Sequence, residues 1–189
     1  MKSLLLATAF AASAGIATAA ERYTLDSSHS QVLFSYNHLG FSTTFGMFSG
    51  FEGEIMFDQA DPGNSSVSVS MPTKSMFTGW EQRDGHFMSA DFFGAEDEDL
   101  ITFTSTAIEV TGDNTALITG DLTMNDITQS VVLDATLNQA GANPINQKDW
   151  AGFDATTTLK RSDFGLGAFA PAVSDEVEVV ISVEAEKAG

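Results

Sequence analysis

At 189 residues, with 26 acidic and 8 basic side chains, the chain carries a formal net charge of −18 and contains no cysteine. The charge excludes nucleic acid and other polyanions as partners, because binding them needs a basic stripe that displaces counterions, and the few Lys and Arg residues are scattered. The missing cysteine excludes disulfides, thiolate catalysis and zinc–thiolate sites, so stability has to come from a core.

The first residues have the layout of a secretory leader: Lys2, an apolar run from Leu4 to Ile16, and the small residues Ala17-Thr18-Ala19-Ala20. The run is too short and too rich in Ala for a spanning helix, so cleavage after residues 1–20 and release into the periplasm are expected. Nothing later is long and apolar enough to span, and without cysteine there is no lipid-bearing anchor residue. Residues 21–189 are therefore expected to form one domain without a stable membrane anchor.

From there the chain reads as strands with period-2 alternation. Val32, Phe34, Tyr36 and His38 share one parity, and Phe51, Gly53, Ile55 and Phe57 oppose Glu52, Glu54 and Asp58. Val67, Val69 and Met71 oppose serines. Further strands are expected at 100–110, 115–124, 128–137 and 152–160, and the change of apolar parity between Phe103 and Ile108 calls for a bulge. The last strand is the cleanest, with Val177, Val179, Ile181, Val183 and Ala185 on one face and mostly glutamates on the other. Turns are expected at 61–64, 111–114, 125–126 and 141–144. The one helix is expected from about Gln82 to Phe93, where alternation is lost. Short turns between successive strands point to an antiparallel barrel or sandwich.

Aromatic residues are in surplus: Phe34, Phe41, Phe45, Phe48, Phe51 and Phe57 crowd the first half, and Trp80, Phe87, Phe92 and Phe93 surround the expected helix. A barrel of about eight strands can fill its interior with side chains or keep room for a ligand. Alternation does not separate the two, and composition alone leans toward a packed core.

Several fragments in one order, spanning nearly all of residues 21–189, resemble the YceI-like, polyisoprenoid-binding proteins. They are Tyr23-Thr24-Leu25-Asp26 with His29-Ser30, His38-Leu39-Gly40, Gly46 with Phe48, Arg83-Asp84 and His86 ahead of Phe92-Phe93, and Ile101-Thr102-Phe103. Gly120-Asp121-Leu122-Thr123 with Thr128, Val132-Leu133, Gly152-Phe153 and Arg161-Ser162-Asp163-Phe164-Gly165 follow. Asp126, Phe87 and Asp99 depart from the glycine, leucine and proline usual in the family, though Asn125-Asp126 can still adopt a left-handed turn. The resemblance implies an all-β, lipocalin-like, extended eight-stranded antiparallel barrel with one short helix and an apolar interior holding an isoprenoid chain.

On that reading Phe34, Tyr36, Phe48, Phe51, Phe103 and Phe164 line the pore, His38 points inward near the ligand, and Trp80, Arg83, His86 and Phe92 belong to the mouth. Arg83, Asp84 and His86 have two open roles: holding a diphosphate or quinone carbonyl, or fixing the helix to the barrel. Arg161 and Asp163 read as a strand-end tie, His29 as a tether, and the acidic run 96–99 as a solvated loop. No histidine spacing suits a metal, and no nucleophile elbow or phosphate loop is present. The expected function is a periplasmic carrier for a polyisoprenoid lipid or quinone, needing no cofactor and performing no chemistry. The alternatives are an enzyme acting on a prenyl lipid through His86 and Arg83, or a ligand-free stress or interaction barrel. Association into a homodimer is left open.

Overall fold

The computed structural model describes residues 19–189, so the expected leader lies almost wholly outside the described residues. Ten strands follow: β1 (Glu21–Leu25), β2 (Gln31–His38), β3 (Ser42–Phe48), β4 (Glu52–Phe57), β5 (Ser66–Pro72), β6 (Leu100–Gly112), β7 (Thr115–Met124), β8 (Ile127–Ala142), β9 (Asp149–Lys160) and β10 (Glu176–Lys187). They form one antiparallel sheet in the order β1-β4-β5-β6-β7-β8-β9-β10-β2-β3, and a β1–β10 pairing closes eight of them into a barrel.

The two additional strands are continuations rather than a separate layer. β10 pairs with β2 along its first half and with β1 near its end, so β1 and β2 are one path along β10, broken at Asp26–Ser30. The break is held by the Asp26 carboxylate, which accepts from the Ser28 amide at 2.9 Å, and by the Asp26 amide, which donates to the Glu184 carbonyl at 2.9 Å. The β2–β3 hairpin lengthens the wall beyond the closed ring, and this is the extended barrel expected from the sequence.

Alternation places the core as anticipated. Val32, Phe34 and Tyr36 are buried along β2, Phe51, Ile55 and Phe57 in and beside β4, and Val177, Val179 and Ala185 along β10. The bulge expected between Phe103 and Ile108 sits between Ser105 and Ala107, where the β6–β7 register shifts. Asn125 and Asp126 adopt φ of 53° and 58° and make the tight β7–β8 turn.

Two expectations need correcting. The helix α1 spans only Glu81–Phe87. Its continuation is cut off where the Ser89 hydroxyl donates to the His86 carbonyl at 2.7 Å, an alternative to the helical ladder that short polar side chains offer. Phe92 and Phe93 then fold back, the Phe93 amide donating to the Phe87 carbonyl at 3.0 Å. The turn expected at 141–144 starts later, because β8 runs on to Ala142.

Strand directions gather the loops at two ends. The helix end carries the β2–β3 turn, the 73–99 insertion containing α1, the β7–β8 turn and the 161–175 loop. The opposite end carries the β4–β5, β6–β7 and β8–β9 turns and both termini of the sheet. Among the described residues no helix is long and apolar enough to cross a membrane.

Candidate functional site

The barrel interior is not continuously packed. A cavity of about 1150 Å³ runs along it, with walls supplied by every strand of the sheet, β1 through Leu25 alone, and with an overwhelmingly apolar lining. Ligand pockets of small molecules are commonly about 300–1,000 Å³, so this space suits something larger than a compact metabolite. On β5, β7 and β8 the inward residues Val67, Leu122 and Leu133 are only half-buried, because they face the cavity rather than other side chains.

All eleven residues singled out in the sequence lie on this cavity. Phe34 and Phe48 meet at 5.5 Å between ring centres, and Phe48 approaches Phe93 of the insertion edge-on at 6.4 Å. Tyr36 stands edge-on to Phe87 of α1 at 6.1 Å, and Phe87 to Phe92 at 5.1 Å. An aromatic chain thus carries the wall from β2 into the helix. Phe51 and Phe103 are buried in the wall and Phe164, 1% exposed, is sealed at the helix end. Trp80 is 56% exposed and His38 stands in the open at the end of β2. The resulting site is a deep apolar bore with a mixed aromatic and polar rim.

The rim residues act first on one another. Arg83 donates from Nε to the Thr78 hydroxyl at 2.8 Å and from Nη2 to the Thr78 carbonyl at 2.6 Å, with its guanidinium 5.9 Å from the Trp80 ring centre. The Thr78 amide and hydroxyl donate to Asp84 Oδ1 at 2.9 and 2.5 Å. Arg83 and Asp84 therefore grip one buried threonine and fix α1 to the strand-like segment beside β3. This is the structural role left open in the sequence. His86 pairs through Nε2 with Asp91 Oδ2 at 3.2 Å and sits edge-on to Phe92 at 5.2 Å. Among the described residues no group of three His, Cys, Asp or Glu side chains could hold a metal ion.

Arg161 differs from its expected role. It makes no ion pair with Asp163. Its Nε donates to the Ser174 carbonyl at 3.0 Å, Nη1 to those of Leu166 and Ala168 at 2.5 and 3.3 Å, and Nη2 to those of Val173 and Ala168 at 3.2 and 3.4 Å. The tie is made to backbone, and the whole 166–174 loop is organised around one guanidinium. Burial lowers the Arg161 pKa from its ordinary value, opposed by Asp175. Asp175 instead takes the Ser162 amide and hydroxyl at 2.8 and 2.6 Å, and the hydroxyl bond is the main reason its carboxyl lies below the usual range. The braced loop in turn holds the β2–β3 turn, since the Leu39 amide donates to the Ala172 carbonyl at 3.1 Å.

Several cavity residues of the loops escaped sequence reasoning, Leu39, Met76, Leu166 and Phe169 among them. Leu39 and Phe169 are exposed, line the cavity, and hold φ of 57° and 64°, a left-handed region that bulky side chains rarely enter. No signal in the sequence marks these backbone angles, because they are imposed by the loop hydrogen bonds. The aliphatic wall of β5 to β8 was visible as alternation, but nothing distinguished a wall facing space from one facing other side chains.

The chain matches the family described as YceI-like domain over residues 23–185. It is 40% identical over 189 residues to Protein YceI of Escherichia coli O17:K52:H18, covering 97% of both chains. Among solved structures it is similar to Burkholderia cenocepacia BcnA, with a TM-score of 0.76 and 26% identity over 85% of this chain and 98% of that one. It shares its fold, at a TM-score of 0.68 and 14% identity over 88% and 98%, with a polyisoprenoid binding domain from Saccharophagus degradans implicated in plant cell wall breakdown. With the match extending over nearly the whole barrel, this chain belongs to the YceI-like family.

Proposed function

We propose that this protein binds an elongated apolar lipid of polyisoprenoid type, a polyprenyl phosphate or an isoprenoid quinone, in the barrel and carries it without altering it. The observation that carries the reading is the apolar cavity running along the interior. The fold shared with a polyisoprenoid binding domain from Saccharophagus degradans supports it. Each methylene taken from water contributes about 0.8 kcal/mol, so a few isoprene units supply ample affinity without a polar anchor. Such a site reads the length and girth of a chain more than its head group.

The rim supports carriage rather than chemistry. Two of the Arg83 nitrogens are already committed to Thr78, His86 Nε2 is taken up by Asp91, and the nearby Ser89 hydroxyl donates to the His86 backbone carbonyl rather than to its ring. Lipid tails are insoluble in the compartment between two membranes, and a leader at residues 1–20 would deliver the barrel there. Sequencing the amino terminus of the exported protein checks this part, with a start near Ala20 or Glu21 expected.

The main test is gentle purification, organic extraction and mass spectrometry. A prenyl lipid should accompany the protein, or be taken up stoichiometrically from a detergent dispersion and recovered unchanged. Protein that is repeatedly lipid-free and takes up no prenyl lipid would refute the binding reading, and recovery of a hydrolysed head group would refute passive carriage.

A further inference from the structure

Two glycines lie beneath aromatic rings that line the cavity. Gly46 on β3 is the cross-strand partner of Phe34 on β2, and a methyl carbon placed on it would stand 2.3 Å from Cζ of that ring and 2.7 Å from Cε1. Gly120 on β7 lies under Phe103 on β6, and a methyl carbon there would stand 2.4 and 2.5 Å from Cζ and Cε2. No side-chain carbon tolerates such distances, so both rings occupy the space that a Cβ would take. They lie flat against the wall because the wall has no side chain there. Phe34 is four residues from the helix end of β2 and Phe103 three from the helix end of β6. The two strands are not neighbours in the sheet, so the rings line the bore at separate places.

We infer that Gly46 and Gly120 are specificity-determining residues: by letting Phe34 and Phe103 lie flat, they keep the bore wide enough for a methyl-branched chain as well as a straight one. The inference rests on the lipid-binding reading above. A ring lifted off the wall has only the cavity to move into, since its other face is the only open one. The effect should therefore fall on girth. Alanine at Gly46 narrows the passage for a chain with a methyl branch on every isoprene unit more than for an unbranched chain of equal carbon number.

The variants are not equivalent. At Gly46 the three nearest atoms are all ring atoms of Phe34, which can rotate, whereas at Gly120 the Thr104 carbonyl oxygen also lies 2.7 Å from the added carbon. Gly46→Ala is the clean probe, and Gly120→Ala is expected to lose stability as well. Binding of an all-trans prenol and a straight-chain alcohol of equal carbon number, both in detergent dispersion, should be measured for wild type, Gly46→Ala and Gly46→Ala/Phe34→Leu, with thermal melts to confirm folding. Prenol affinity should fall about tenfold or more in the alanine variant, the straight chain should suffer less, and the smaller leucine should restore the prenol. Equal losses for both chains, or no loss in a folded variant, would overturn the inference. If wild type binds neither chain, the lipid reading fails. A crystal structure of Gly46→Ala then decides the geometric point separately: Phe34 turned into a reduced cavity upholds it, and an unmoved ring refutes it.

Discussion

The wall of this barrel is built the same way all round and used in two ways. Where β1, β4, β9 and β10 meet, Tyr23 and Phe57 stand edge-on at 6.0 Å, Phe57 and Phe153 at 5.5 Å, and Ala151 and Ala185 are 1% and 0% exposed. Phe57 and Phe153 still border the cavity, but Phe57 is only 6% exposed between its two ring partners, so the packing there is tighter. Along β5, β7 and β8 the inward residues are aliphatic on every strand, and Val67, Leu122 and Leu133 end at the cavity. Inward alternation is equally regular in both sectors. A hollow barrel differs from a filled one in how sizes are paired across the interior, which is a property of the closed sheet and not of any strand.

Phe57→Ala should show the largest difference between the sectors. It removes a ring wedged among Tyr23, Phe153 and their neighbours in the packed sector, and a loss of about 3–5 kcal/mol is expected in urea unfolding. Leu133→Ala, on the open sector, removes atoms that border existing space and creates no closed void, so about 1 kcal/mol is expected. Comparable losses would mean that the cavity collapses or fills in solution. Leu133→Trp should keep the fold and displace bound lipid.

Between those extremes stands Arg161, where a polar brace replaces packing at the helix end. Arg161→Met leaves the carbonyls of Leu166, Ala168, Val173 and Ser174 without their donor, and a loss on the order of 3 kcal/mol is expected. Lysine should rescue little, because one ammonium cannot reproduce the planar fork. Amide exchange should rise selectively in the 166–174 loop and the β2–β3 turn that it supports. Uniform acceleration over the barrel would argue against a local brace.

These elements show what the sequence disclosed. Val177 to Ala185 announced a strand and its inner face because period-2 alternation is a one-strand property, and the parity change after Phe103 announced the bulge for the same reason. The aromatic surplus found the cavity residues of β2, β4 and the insertion. That the space among them stays open became legible only through the family motifs. The length of α1 was misjudged because a serine hydroxyl and a folded-back backbone ended it, and neither alters the hydrophobic period. Arg161 was seen as a tie but assigned to Asp163, its charged neighbour, since carbonyls gathered from a later loop leave no mark in a sequence.

The smallest effect is expected where the packed sector is pinned, at the break between β1 and β2. His29 Nδ1 lies 2.7 Å from Asp26 Oδ2, and the Ser28 hydroxyl donates to Asp26 Oδ1 at 2.7 Å. The hydrogen bond with His29, then that from the Ser28 hydroxyl, hold the Asp26 carboxyl below its ordinary range, and the bond to Asp26 raises the His29 imidazole above its own. The raised histidine adds stability that is complete below its unfolded value of about 6.5 and disappears as pH climbs through the higher folded value. The lowered aspartate adds stability that is complete above about 3.9 and disappears as pH falls through the lower folded value. The pair therefore contributes most between those limits, at about pH 5, and both groups are exposed enough that water and salt screen it. His29→Ala should reduce the change in melting temperature between about pH 5 and pH 9 relative to wild type, leaving the cavity untouched. Identical pH profiles for the two proteins would show that this contact adds nothing to the closure of the packed sector, and that the buried rings and alanines behind it suffice.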